Sequence, residues 1–148
     1  MEASEERRER FKDHFFRRVT AGDIDPRAIH ELADRAVRED LEGMGFYETA
    51  EKAGDPSSSL FLNPSAEVSA VVKAREPLCP AGLPFAPLLL DRFDPSLRWE
   101  SHAEDGVPVE TGTVLAEISG SAVTLFTAER TILNFLQFLS GIATSTRR

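Results

Sequence analysis

Residues 128–148 read AERTILNFLQFLSGIATSTRR, the most strongly patterned stretch of a 148-residue chain. Ile132, Leu133, Phe135, Leu136, Phe138 and Leu139 recur at helical spacing and cover most of the circumference. A helix apolar over so much of its girth needs neighbours on several sides, from its own chain or from a partner. Thr127 is positioned to cap it, with Glu129 and Arg130 in the first turn. Arg130, Asn134 and Gln137, at i, i+4 and i+7, form its polar strip. Such a strip is what a mostly buried helix leaves to solvent. It is also where a guanidinium could grip a carboxylate or phosphate through two parallel hydrogen bonds.

Working outward, the neighbours can be read from the preceding residues. The spacing predicts a charged helix over 4–19, with Phe11, Phe15 and Val19 on one stripe. Asp25-Pro26 then starts a second helix in the favoured order, a capping carboxylate followed by proline at the first helical position. Ile29, Leu32, Ala33, Ala36 and Val37 give it one apolar face as far as 41–43, and the Gly- and Ser-containing stretch 43–59 reads as an exposed loop. In 66–75, Val68, Ala70, Val72 and Ala74 alternate with Glu67, Ser69, Val71 and Lys73, as in a half-buried strand. A turn over 78–82 and a short helix over 84–93 follow. The glycines at 106, 112 and 120 punctuate four predicted strands, 97–102, 107–110, 113–118 and 122–126. The expected class is α+β: N-terminal helices, a small, mostly antiparallel sheet or barrel with a short helix inserted, and a packed terminal helix. The expected division is a charged helical extension over 1–25, an α+β body over 26–126 and the helix from 127 to 148.

Composition narrows the function. A formal charge of −8 leaves no basic excess for phosphate neutralisation, which argues against a nucleic-acid partner. The basic residues Arg7, Arg8, Arg10, Lys12, Arg17 and Arg18 are interleaved with Glu5, Glu6, Glu9 and Asp13, as on a solvated helix face. The single cysteine, Cys79, reads as a buried, inert thiol and fits a reducing compartment. The longest apolar run, near 83–90, is broken by Pro84 and Pro87, so no membrane span is expected. With no apolar signal-like region near Met1, the expected location is the cytoplasm.

Chemistry is sparse. His14, His30 and His102 lack metal-ligand spacing, and neither GxGxxG nor GxxxxGK[ST] occurs. The spacing GVPVETGTVLAEISG over 106–120 is similar to that of small biotin- or lipoate-carrying barrels. Those domains place an acceptor lysine in a tight turn, whereas Lys12, Lys52 and Lys73 occupy none. Glu39-Asp40 and Asp55 read as solvent-facing carboxylates. No nucleophile, base and oxyanion site come together, so the chain taken alone is chemically incomplete.

One resemblance is specific. Residues 128–137, AERTILNFLQ, with 139–144, LSGIAT, closely resemble the ERxxLNxLxxxSGIAT signature of the quinolinate phosphoribosyltransferases. Glu39-Asp40-Leu41 looks like that family's EDL, and Gly54-Asp55 with Ser58-Ser59 like its GD-x-T/S segment. Ala74-Arg75-Glu76 and Ala81-Gly82-Leu83 match its ARE…AGL, and Asp105-Gly106 through Gly120 its DGxxVxxGxxLAxIxG. The chain departs from the pattern in the extra residues between Asp40 and Gly54, in Pro56, and in its long charged N-terminal stretch.

The resemblance implies an N-terminal α+β domain and a helix leading into a catalytic α/β barrel that is absent here. It also implies phosphoribosyl transfer from phosphoribosyl pyrophosphate to quinolinate, with magnesium, loss of carbon dioxide and release of pyrophosphate in NAD synthesis. Most substrate-binding residues, and the magnesium site, would lie beyond Arg148; no catalytic residue carries over into this chain. One substrate-binding residue does, Arg130, which in the family reaches the quinolinate carboxylate from the neighbouring subunit of a homodimer. Asn134 and Gln137 remain structural polar groups. Two other readings stay open: a stand-alone binding or assembly module, and the family's molybdenum-transport-associated relative.

Overall fold

In the computed structural model, residues 21–42 and 62–147 are described. The predicted helix over 4–19, the predicted loop over 43–59 and the Gly54-Asp55 and Ser58-Ser59 motifs lie outside them.

Helix α1 spans Pro26–Glu42 and starts as its sequence requires. The Arg27 N–H donates to Asp25 Oδ1 at 2.9 Å, satisfying one orphan donor of the first turn. The Arg27 guanidinium folds back onto the same carboxylate at 2.9 Å. Together, the Arg27 side chain first and its N–H second, they hold the Asp25 carboxyl below its ordinary range. Ile29 and Ala33 are buried and Ala36 and Val37 half-buried, as the periodicity predicts; Leu32, expected on that face, is 50% exposed.

The sheet has three strands, β1 (Glu67–Lys73), β2 (Arg98–Ser101) and β3 (Val114–Ser121), in the order β1-β3-β2. Both pairings are antiparallel, with Ala70 opposite Ile118 and Trp99 opposite Ile118 on the other side. The alternation read in β1 holds: Val68, Ala70 and Val72 turn inward while Glu67, Ser69, Val71 and Lys73 are exposed. The sheet is open, without the closure of a barrel. The predicted strand over 107–110 is reduced to a single bridge between Leu78 and Val109. Pro108 has no N–H to give a ladder, and the turns at Asp105-Gly106 and Thr111-Gly112 leave too little chain between them.

Between β1 and β2 a 3-10 turn, Leu83–Phe85, runs into helix α2, Ala86–Phe93. Asp94 closes it: its Oδ1 accepts the Ser96 N–H at 2.8 Å, the main reason its carboxyl sits below the ordinary range.

Helix α3 spans Ala122–Arg147, 26 residues, and begins earlier than expected. The stretch 122–126, predicted as a strand, forms its first turn. Its apolar residues suit either period, but Ala122, Leu125, Ala128 and Ile132 are all buried, a helical repeat against the sheet and α2. Ala122 is joined to the sheet by its N–H, which donates to Ala66 O at 2.8 Å. Thr127 is therefore no cap; its hydroxyl donates to Val123 O at 2.9 Å, one turn back. Glu129 and Arg130 lie well inside α3, not in its first turn.

The core lies between the inner sheet face and the three helices: Ala33 from α1, Leu89 and Leu90 from α2, Leu115 and Ile118 from β3, and Leu125, Ile132 and Leu136 from α3.

Candidate functional site

The expected polar strip on α3 exists. Arg130, Asn134 and Gln137 are all exposed and share one side of the helix. From the sequence, Arg130 is either part of a solvated strip or a guanidinium fixed to grip an anion. In the structure its Nη2 donates to Oδ1 of Asp40, on the last turns of α1. Asp40 was expected to face solvent and does not: its side chain is 12% exposed, against 71% for Arg130. Glu39, beside it, is exposed as expected. The second Asp40 oxygen accepts the hydroxyl of the buried Thr131 at 2.8 Å. One carboxylate from α1 thus holds two consecutive residues of α3. Pattern reading could not find this contact, because its partners stand 90 and 91 positions apart.

At the other end of α3, polar side chains gather the loop motifs. The Gly82 and Leu83 N–H groups donate to Asp105 at 2.7 and 3.1 Å. The Ala81 N–H donates to Ser140 Oγ at 3.1 Å, and the Cys79 N–H to Thr144 Oγ1 at 2.9 Å. Arg147 Nη1 donates to Gly106 O at 2.9 Å. The AGL, DG and SGIAT segments, separate in sequence, therefore form one knot of bonds around α3. Cys79, as predicted, is buried and unpaired in any disulfide.

Beside this knot a cavity of about 450 Å³ opens between the end of β1 and α3, lined by Lys73, Arg75, Glu76, Leu133 and Gln137. A more apolar one of about 420 Å³ lies further along the same helix, against Val68, Phe126 and Ile132. Among the described residues no three His, Cys, Asp or Glu come together as metal ligands, and no helix is long and apolar enough to cross a membrane. His102 is exposed and His30 half-buried; His14 lies outside the described residues.

Fold and strip together define an α+β domain built around one long helix, with a guanidinium anchored at one nitrogen on the solvent side. Residues 55–140 match the family described as quinolinate phosphoribosyl transferase, N-terminal domain. The chain belongs to that family.

Its relatives agree. Over 100 residues it is 37% identical to the chloroplastic nicotinate-nucleotide pyrophosphorylase (carboxylating) of Arabidopsis thaliana, covering 68% of this chain and 29% of that protein. Over 111 residues it is 34% identical to the mitochondrial quinolinate phosphoribosyltransferase (decarboxylating) 2a of Nicotiana tabacum, covering 73% and 32%. The chain thus spans about a third of the length of these curated relatives. Among solved structures, NadC from Streptococcus pyogenes superposes with a TM-score of 0.69 at 30% identity, over 82% of this chain and 40% of that one. The nicotinate-nucleotide pyrophosphorylase of Francisella tularensis gives 0.70 at 26% identity, with the same coverage.

Proposed function

We propose that this chain is the N-terminal portion of an enzyme that converts quinolinate and phosphoribosyl pyrophosphate to nicotinate mononucleotide, pyrophosphate and carbon dioxide in NAD biosynthesis. The names of its relatives and the ordered match of its motifs support this. On this reading a charged extension over 1–25 precedes the α+β body that starts at 26, and the long helix α3 leads on toward a catalytic α/β barrel. The protein works as a homodimer in which Arg130 of one subunit grips a quinolinate carboxylate in the site of the other. Its one cysteine, buried, suits a reducing compartment such as the cytoplasm.

The observation that carries the site assignment is the Arg130 side chain, 71% exposed yet fixed at one nitrogen. A guanidinium has five N–H donors in a rigid fork. Holding one of its ends leaves the remaining edge for an incoming carboxylate, the geometry in which arginine binds such groups most strongly. Among the described residues no three His, Cys, Asp or Glu side chains meet, and magnesium is usually held by one or two carboxylates together with substrate phosphates. The magnesium of the proposed reaction belongs with phosphoribosyl pyrophosphate, away from these residues.

The test is Arg130→Ala in the barrel-bearing protein. Loss of a charge-assisted hydrogen bond of about 1.5–3 kcal/mol raises the quinolinate KM by about 10- to 100-fold. Some stability is lost as well, because the sheltered Asp40 carboxylate, 12% exposed, then keeps Thr131 as its partner without the guanidinium. The assignment is therefore read from the quinolinate KM and not from melting. An unchanged quinolinate KM would falsify the assignment of Arg130.

A further inference from the structure

Asp40 stands behind the proposed quinolinate-binding arginine, and its two oxygens are divided between neighbouring residues of α3. Oδ1 accepts from Arg130 Nη2 and Oδ2 from Thr131 Oγ1 at 2.8 Å. We infer that Asp40 is a positioning residue for substrate binding: it sets the direction in which Arg130 presents its fork. The inference rests on the reading of Arg130 given above.

The asymmetry of the cluster supports it. Asp40 is 12% exposed and Arg130 71%, so the anchor is sheltered and the working group is not. Thr131 is 7% exposed, and its hydroxyl, like any buried donor, needs a partner. By donating to Oδ2 it fixes the rotation of the carboxylate and turns Oδ1 toward Arg130. The arginine is engaged at a single nitrogen, not along a full edge of the fork. A carboxylate free to rotate could close on two nitrogens and compete with substrate; one held by Thr131 does not.

A purely structural role accounts for less. Helix α1 is already seated by buried Ile29 and Ala33. Asp40 also carries a penalty, since its negative charge lies beside a group meant to attract an anion. Positioning and charge therefore predict opposite signs for its removal. Asp40→Asn keeps the shape of the side chain and deletes the charge. If the field alone mattered, quinolinate would bind more tightly. If direction matters, it binds more weakly.

The experiment compares Asp40→Asn, Thr131→Val and Arg130→Ala in the full-length, barrel-bearing protein, reading KM for each substrate and kcat. Asp40→Asn should raise the quinolinate KM about tenfold while the phosphoribosyl pyrophosphate KM stays within about twofold. Thr131→Val, of nearly the same shape, should shift it in the same direction by less. A quinolinate KM that falls or stays level in Asp40→Asn overturns the inference, as does an equal rise for both substrates. If Asp40→Asn fails to fold, Thr131→Val decides by the same criterion. Should Arg130→Ala leave quinolinate binding intact, the site assignment itself fails and this inference with it. A loss in Arg130→Ala without one in Asp40→Asn removes the inference alone.

Discussion

Gly82 shows how closely one position can be specified. Its φ is +98°, in the left-handed region, and a Cβ built there would lie 2.8 Å from Leu139 Cδ1 and 3.0 Å from Phe135 Cε1. Its N–H is committed to Asp105 at 2.7 Å. Any side chain would be strained by the backbone and would push into α3. Gly82→Ala should therefore destabilise the fold by about 1–3 kcal/mol, read as a lower urea midpoint at unchanged slope. Sequence reading placed a turn here and matched the glycine to a motif. It could not see that the turn lies under Phe135 and Leu139, because that approach is made by residues more than fifty positions away.

The long helix is the element on which most of the molecule depends, and it was only partly legible. Its apolar girth was plain, and the burial of Ile132 and Leu136 follows from it. Its start was misplaced because the residues over 122–126 are compatible with two periods, and only packing against the sheet and α2 chooses between them. Its later turns are held by polar groups as much as by apolar ones. Ser140 is 6% exposed and accepts the Ala81 N–H at 3.1 Å. Ser140→Ala removes that acceptor and strands a part-buried backbone donor. The expected cost is about 1–3 kcal/mol, with faster hydrogen exchange at Ala81 as the local signature; unchanged exchange there would show that the bond does not hold the loop to α3.

At the level of the domain, the described helices α1, α2 and α3 and the open sheet share one core cluster, and Ile132, 1% exposed, sits within it. Truncation there cannot be relieved locally, since buried residues from α2, β3 and α3 pack in one cluster. Ile132→Ala should cost about 2–5 kcal/mol. Circular dichroism and Trp99 fluorescence should report one shared transition, shifted to lower denaturant. Two separate transitions would mean that α3 and the sheet fold independently. The same shared core explains why the candidate site joins distant parts: α1 lies against α2 and α3, and that docking carries Asp40 to Arg130.

The chain's own pattern was enough for the α+β class, α1 with its Asp25-Pro26 start, the alternation in β1, the buried cysteine and the exposed strip with Arg130. These are local properties, fixed by periodicity, capping chemistry and hydrophobic spacing within one segment. The start of α3, the openness of the sheet, the loss of a strand over 107–110 and the turn of Asp40 away from solvent were not local. Each depends on which partner a segment meets across the fold. A backbone group or a carboxylate takes the best hydrogen bond that packing brings within reach, and a sequence read in order does not contain that distance.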